Sequence, residues 1–329
     1  MVEAVRRHLG TGLVALLLSS AAFGTSGPFA KALIEAGWTP GAVVLVRMAG
    51  AAAVLLPVAL WGARRDWRAL ARELPLVGAY GLLAVAAAQL GYFQAVERLT
   101  VGVALLIEYL GIVLVVLWVW ALTRRAPHRL TGLGIVLAIS GLVLVLDVTG
   151  RTTPDLVGVA WGLLAATGLA GHYVLATRRT ALPPVSFAGL GLAAGAMVLA
   201  LLGATGVISM ETGDSEVRVA SVEVPAWVAL GELVVVAAVV AYVLGVVGAR
   251  RLGSTLASFV GLTEVLFAVL FAWIVLGELP GVWQLVGGVV ILAGIVAVRL
   301  GERSLAGTHA PQEEPEDAPQ RTLEPLGGP

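Results

Sequence analysis

The chain contains no cysteine, and charged residues make up only 13% of its 329 residues. The absence of cysteine excludes disulfide bonds, thiolate metal sites and cysteine nucleophiles. The shortage of charge excludes an ordinary soluble protein, in which about 25% of residues are charged. Because 59% of the residues are hydrophobic, most of the surface must face lipid. The net charge is zero, so no overall field attracts nucleic acid or an acidic substrate.

Common signatures of enzymes and ATP-driven proteins are also absent from the sequence. It has no His-Glu-x-x-His motif and no phosphate-binding P-loop. His172 is the only histidine within a long apolar run, which argues against a histidine-based metal site. We therefore expect no metal, no cofactor and no enzymatic activity, and no nucleic acid as a partner.

Long apolar runs, by contrast, fill the sequence. A helix needs about 20 apolar residues to cross the hydrocarbon core of a bilayer. The runs are continuous rather than alternating, which is typical of helices and not of barrel strands. The sequence thus predicts an all-α membrane protein with ten transmembrane helices, over residues 10–30, 39–61, 75–96, 100–122, 130–146, 156–176, 185–208, 226–248, 254–276 and 281–299.

Arginine is concentrated in every second connection between these spans, at Arg64, Arg65, Arg68, Arg72, Arg124, Arg125, Arg129, Arg178, Arg179, Arg250 and Arg251. The positive-inside rule places these connections and both termini in the cytoplasm. Residues 1–9 would then be a cytoplasmic N-terminus and residues 147–155 an external linker. The Pro-, Glu- and Gly-rich residues 301–329 predict a disordered cytoplasmic tail. A composition rich in Ala, Gly, Val and Arg suggests a bacterium, and hence its inner membrane.

The chain matches itself at an offset of 153 residues. The identities include Arg98 with Arg251, Trp120 with Trp273, Pro127 with Pro280, Gly134 with Gly287 and Gly141 with Gly294. Residues 10–146 and 156–300 would each form one five-helix repeat. An odd number of spans makes the second repeat enter the membrane from the opposite side. Inverted repeats are typical of secondary transporters, although a duplicated scaffold or membrane enzyme would give the same pattern.

Four charged residues fall inside the predicted spans. Burying a charge at mid-bilayer costs at least about 2.5–3.5 kcal/mol, so each needs a reason. Arg47, Glu108 and Glu232 lie about 7–8 residues from the outer ends of their helices, a depth of about 10–12 Å. Gln89 lies at a similar depth, and Glu264 lies near the centre of its span.

The fourth and ninth spans carry matching stripes of small and acidic residues. Ala104, Glu108 and Gly111 lie on one helical face, and their equivalents are Ala257, Gly261 and Glu264. Glu and Gly exchange places between the two copies. Each repeat would thus offer one carboxyl group beside one gap at the interface.

Two interpretations of these polar residues stay open. In the functional one, the carboxyl groups line a polar cavity and bind a substrate amine or carry a proton. In the structural one, Arg47 and Glu108 form an ion pair, and Glu264 is a neutral acid bonded between helices. Tyr92 and Tyr109 would line the cavity or pack between helices. His172 would pack near the membrane interface or relay protons.

Several motifs resemble the EamA family of the drug/metabolite transporter superfamily. One motif is Val44 with Arg47–Ala49 in the second span. A second is 107–111 in the fourth span, which is similar to the fourth helix of threonine/homoserine exporters. The third is in the last two spans, at 262–266, 276–279 and 287–288. The resemblance covers about residues 10–300 and implies ten helices in two five-helix repeats. Pro often follows the positions of Gly111 and Glu264 in this family. Ile112 and Val265 stand here, so we expect less kinked helices.

The resemblance implies an exporter of a small metabolite, such as an amino acid or a related compound, or of a drug. Transport would proceed by alternating access, either proton-coupled or facilitated, and the protein would be a monomer or a homodimer in the lipid bilayer. The candidate site residues are Arg47, Gln89, Tyr92, Glu108, Tyr109, His172, Glu232 and Glu264. The alternatives are a non-transporting scaffold or receptor and a membrane-embedded enzyme.

Overall fold

The computed structural model describes residues 2–63, 67–123, 129–145, 155–176, 178, 180–245, 247–248, 251 and 260–307. Its helices, named α1 to α13 in chain order, are Val2–Gly24, Ser26–Glu35, Pro40–Ala63, Trp67–Tyr80, Ala88–Arg98, Val101–Tyr109, Gly111–Thr123, Arg129–Val145, Leu156–Ala176, Pro184–Ala204, Ala226–Val234, Thr263–Leu276 and Val282–Gly307. Residue 146, most of the predicted linker (147–154), the start of the ninth span (254–259) and most of the tail (308–329) lie outside the described residues.

The described helices follow the predicted spans closely. Five stretches are long and apolar enough to cross a membrane: Gly10–Glu35, Pro40–Gly62, Leu70–Arg98, Val185–Ala204 and Ala226–Gly245. Five shorter apolar helices, Val101–Leu114, Arg129–Leu144, Leu156–His172, Thr263–Leu276 and Val282–Val298, lie in the other predicted spans. The protein is therefore a helical membrane protein, while the count of ten crossings stays a prediction.

Burial is distributed as expected for a bundle in lipid. The largest fully buried side chains include Arg47, Phe93 and Leu33, so the centre of the bundle holds a charge among apolar groups. Large apolar side chains such as Leu156 (75% exposed) and Val289 (67%) lie on the outside. An apolar exterior of this extent is typical of a surface that contacts lipid.

Three predicted spans are interrupted by a turn. The first span breaks at Thr25, between α1 and α2, within the sequence Gly-Thr-Ser-Gly-Pro, whose residues favour turns. The fourth breaks at Leu110, between α6 and α7, and Leu262 forms a turn immediately before α12. Discontinuous helices are where transporters commonly place binding sites.

The breaks in the fourth and ninth spans form without proline. The Leu110 N–H donates to Ile107 O at 3.1 Å, and the Val265 N–H donates to Leu262 O at 3.2 Å. Both bonds reach back three residues rather than four, so the backbone tightens locally. A tightened turn therefore interrupts both helices without proline, and the less kinked helices expected from Ile112 and Val265 stay a prediction.

Two π-helical segments occupy equivalent places in the two repeats. The first is Gly81–Ala87, between α4 and α5, and the second is Val235–Val240, after α11. The 153-residue offset carries 81–87 onto 234–240. A π-helical turn leaves the regular hydrogen-bond ladder and is frequent at functional sites. The equivalence therefore extends to irregular features of the backbone.

Helices α8 and α13, which are equivalent in the two repeats, pack closely in opposite directions. A methyl group at Gly134 would lie 2.5 Å from Gly294 O, and one at Gly141 would lie 2.7 Å from Gly287 O. As residue numbers rise along α8, those of its contacts fall along α13, so the helices are antiparallel. Only glycine allows backbones this close, as in other membrane helix pairs.

Four connections between helices, those after α2, α5, α10 and α12, meet at one end of the bundle, which we call the hairpin end. A β-hairpin of β1 (Glu216–Val219) and β2 (Val222–Pro225) lies there, with Val217 paired to Val224. The Ala220 N–H of its turn donates to Val275 O of α12, and the Asp214 N–H donates to Ala36 O after α2. The connection from α10 to α11 therefore ties the ends of both repeats together.

Candidate functional site

Arg47 on α3 lies at the centre of the bundle with 1% of its surface exposed. Its Nη1 donates to Gln89 Oε1 on α5, and its Nη2 donates to Ala237 O in the second π-helical segment at 2.8 Å. The guanidinium also lies over the ring of Phe93, 5.5 Å from its centre, where a cation is attracted to the ring face. Arg47 thus joins the second and third spans to the eighth.

The ion pair between Arg47 and Glu108, which was one of the two open interpretations, is not formed within the part of the chain that the structure describes. The acceptors of Arg47 are neutral, a side-chain amide and a backbone carbonyl, and its Nε has no partner. Glu232 and Glu264 are near enough to attract the guanidinium electrostatically. Burying a cation without a bonded anion costs free energy. Arg47 is therefore suited to bind a further anionic group.

Tyr109, the last residue of α6, links the two repeats. Its Oη lies 3.1 Å from Gly261 O and 3.0 Å from Glu264 Oε2. Gly261 and Glu264 flank the turn at Leu262, and Tyr109 directly precedes the turn at Leu110. The two interrupted helices therefore meet at their interruptions, and the contact is made by a hydroxyl and a carboxyl group.

Glu108 lies beside this contact and is 8% exposed. It is within electrostatic range of both Glu264 and Arg47. The structure therefore gathers the buried Arg47, Glu108 and Tyr109 and the half-buried Gln89 and Glu264 into one group, which we call the central polar cluster. The bond between the fourth and ninth spans comes from Tyr109, which is not on the predicted stripe. Gly111 of that stripe packs against Ala166 of α9 instead.

Glu232 on α11 contacts the interruption of the first span. Its Oε1 is hydrogen-bonded to Thr25 Oγ1, which also lies 2.7 Å from Ala22 O. Its second oxygen, Oε2, is buried without a hydrogen-bond partner. Of the predicted site residues, Glu232 thus sits beside the central polar cluster with a hydroxyl partner of its own.

Tyr92 and His172 differ in their position relative to the cluster. Tyr92 is buried, with its ring centre 5.8 Å from that of Phe93, and its hydroxyl lies against Gly27 of α2. His172 Nδ1 lies 2.9 Å from Tyr80 Oη, in a separate contact between α9 and α4. The position of Tyr92 fits a cavity wall, whereas that of His172 fits packing between helices.

Two cavities lie elsewhere in the bundle. One of about 150 Å³ is an apolar groove between α6, α12 and α13, lined by residues such as Val103, Leu106, Val269 and Gly288. The other, of about 550 Å³, is a polar recess at the hairpin end, lined by Glu35, Asp214, Glu216, Arg218 and Glu223 among others. In the central polar cluster, Arg47 is bonded to Gln89 and Tyr109 to Glu264.

Several contributing residues were not among the sequence predictions. Thr25 is signalled by the turn-forming residues around it, whereas the Ala237 carbonyl and the Phe93 ring carry no signal in the sequence. Lys31 and Glu278 form an ion pair at the hairpin end. In the described ranges, no three His, Asp or Glu side chains are grouped so as to hold a metal ion.

Comparisons with known proteins agree with this architecture. The profile of the family described as the EamA-like transporter family matches residues 10–147 and 156–300. A solved structure described as "Crystal structure of protein" superposes with a TM-score of 0.55 and 20% sequence identity, over 92% of this chain and 99% of that one. At this identity the likeness concerns the fold alone. No curated protein matches the chain.

Proposed function

Because the chain belongs to the EamA-like transporter family, we propose that it is a secondary carrier that exports a small metabolite across a bacterial inner membrane. The substrate would be an amino acid, a related compound or a drug. The family is one of membrane transporters, and this agrees with the apolar helices of the structure. Resemblance to the threonine/homoserine exporters would make an amino acid the first substrate to test.

The observation that carries this proposal is the contact of Tyr109 with Glu264 between two interrupted helices. In a continuous helix the backbone N–H and C=O groups are hydrogen-bonded to one another. An interruption leaves some of these backbone groups without helical partners, so that they can bind a ligand together with nearby side chains. Here both interruptions face each other and are accompanied by carboxyl groups. This arrangement suits a site that is opened and closed by relative movement of the repeats.

In the proposed mechanism, the two repeats rock about the central polar cluster. Glu108 or Glu264 binds the amine of the substrate in one state and a proton in the other, while Arg47 accepts an anionic group. Arg47, Glu108 and Tyr109 are buried in this conformation, so the substrate would reach them only when α6 and α12 separate. Proton exchange for substrate would make the transport concentrative.

Two further features support inverted repeats with both termini in the cytoplasm. The equivalent helices α8 and α13 run antiparallel, as expected if the second repeat is inverted. The connections after α2, α5, α10 and α12 contact one another at the hairpin end, as expected if successive helices alternate in direction. The arginine-rich connections would then lie at the opposite, cytoplasmic end.

A growth screen followed by flux measurement tests the proposal. Cells that overexpress the chain would be challenged with toxic amino-acid analogues and drugs, and the compound that they tolerate would be assayed in proteoliposomes. We expect Glu264→Gln and Glu108→Gln to abolish flux driven by a pH gradient. The control is Glu223→Gln, because Glu223 is 64% exposed on the hairpin. Unchanged flux in both buried variants would overturn the coupling role and favour a scaffold.

A further inference from the structure

We propose that Thr25 and Glu232 form a proton-binding site, separate from the contact between Tyr109 and Glu264. The site lies where the interruption of the first span meets α11. Its ligand is a single proton on the Glu232 carboxyl group. Its role in coupling rests on the proposed function, whereas its occupancy by a proton does not.

The argument begins with the number of hydrogens that Thr25 can donate. A threonine hydroxyl carries one hydrogen and also accepts hydrogen bonds. Its oxygen lies 2.7 Å from Ala22 O and is bonded to Glu232 Oε1. The Ala22 carbonyl can only accept. If Glu232 is ionised, it also only accepts, and one of the two contacts has no hydrogen.

A protonated Glu232 removes this conflict. The acid O–H donates to Thr25 Oγ1, and Thr25 donates its own hydrogen to Ala22 O, so both contacts become hydrogen bonds. The unpartnered Oε2 of Glu232 points to the same state. A buried oxygen without a donor is much costlier in a carboxylate than in a neutral acid.

The contact of Tyr109 has a similar arrangement, and it too joins the first repeat to the second. The Val265 N–H donates to Leu262 O, and the Tyr109 hydroxyl lies 3.1 Å from Gly261 O and 3.0 Å from Glu264 Oε2. A neutral Glu264 that donates to Tyr109 would leave the Tyr109 hydrogen for the Gly261 carbonyl. In both places a hydroxyl lies between a backbone carbonyl and a carboxyl group beside an interrupted helix.

The charged groups around Glu232 do not replace the proton. On α3, Arg47 is in electrostatic range but bonds Gln89 and Ala237 O. On α2, Lys31 bonds Leu99 O and Glu278, and Glu35 lines the polar recess. The hairpin contributes Arg218 with Glu223, a pair on its exposed surface, and Glu216, which also lines the recess. Among the charged groups that the structure describes, Arg47 is the one in electrostatic range of the carboxylate that loss of the proton would leave.

Infrared difference spectroscopy on purified protein in nanodiscs tests this site without a substrate. Protonated carboxyl groups absorb in their own carbonyl-stretch region, separate from carboxylates. A titration from acid to alkaline pH should show a carbonyl-stretch band of a protonated carboxyl group that is absent in Glu232→Gln. Thr25→Val should shift this band to higher frequency, because the Glu232 acid O–H loses the hydroxyl that accepts its hydrogen bond. Glu223→Gln, on the exposed hairpin, should leave the band unchanged.

Each outcome of the titration decides the proposal. A spectrum of Glu232→Gln identical to that of the natural sequence would overturn it. If that variant fails to fold, Thr25→Val still decides, since Glu232 is retained and an unshifted band would overturn the proposal. The site stands if the band is present in a protein that shows no transport in the growth screen. In that case only the proposed function fails.

Discussion

Lys31, the only lysine in the chain, forms an ion pair with Glu278, which lies in the connection between α12 and α13. Lys31 also donates to Leu99 O at 3.0 Å, and Glu278 Oε2 accepts from the Val101 N–H at 3.1 Å. The two side chains are only 14% and 20% exposed. They hold the hairpin ends of the first, fourth and ninth spans together, and so bridge both repeats.

We expect a covalent bond at this position to stop transport. The pair Lys31→Cys and Glu278→Cys can be oxidised or cross-linked selectively, because the chain has no cysteine of its own. Cross-linking should abolish flux and a reductant should restore it, since alternating access needs the spans to separate at this end. The control pair is Arg218→Cys with Glu223→Cys, within one hairpin. Full flux after complete cross-linking of the first pair would contradict the claim that the spans separate at the hairpin end during transport.

The positions of the helices could be predicted from the sequence because apolar run length decides them. The sixth predicted span, 156–176, coincides with α9. The breaks at Leu110 and Leu262 could not be predicted, because the neighbouring Gly111 and Gly261 lie within the predicted spans and packing between the repeats decides the backbone there. The bonded partners of Arg47 could not be predicted for the same reason. Depth in the membrane made Glu108 a plausible partner, but only the packing of α3 against α5 and the second π-helical segment selects Gln89 and the Ala237 carbonyl.

The close packing of α8 on α13 predicts opposite effects of alanine at two glycines of one helix. Gly134→Ala should lower the free energy of unfolding by about 1–3 kcal/mol, because its methyl group would overlap Gly294 O. Gly132→Ala should raise it by about 0.5–1 kcal/mol, because nothing lies within 4 Å and alanine loses less entropy in a helix. Unfolding in detergent micelles measures both. Equal effects would mean that the two helices do not pack through Gly134.

The contact between the repeats predicts that Tyr109→Phe destabilises the fold while Glu264→Gln does not. Loss of the hydroxyl removes the donor that lies 3.1 Å from Gly261 O, which should cost about 1–3 kcal/mol. Glutamine at position 264 keeps a donor toward Tyr109 Oη, as a neutral acid does. The free energies of unfolding of the two variants in the same detergent give the comparison. A Glu264→Gln variant as unstable as Tyr109→Phe would mean that the carboxylate form is the natural one.

Asp155 predicts a pH-dependent stability at the start of α9. The Gly158 N–H hydrogen bond lowers the pKa of this carboxyl group, with help from the Val157 N–H and nearby Arg98, and partial desolvation opposes the shift. Because the folded pKa lies below the unfolded one, the stabilisation is present above the unfolded pKa and disappears as pH falls through the folded pKa. The difference in Tm between the natural sequence and Asp155→Ala should therefore be constant near neutrality and shrink in acid. A Tm difference that grows in acid would contradict the role of the Asp155 carboxylate as the N-terminal cap of α9.

The two π-helical segments bear on the history of the chain. Each is a local departure from regular geometry, and independent origins at corresponding positions 81–87 and 235–240 would be a coincidence. The economical account is that a single ancestral five-helix unit already possessed the widened turn before its gene was doubled. Glu232 has Ala79 as its counterpart at the same offset. The charge thus arose or was lost in one copy only, whereas both copies retain the irregular backbone.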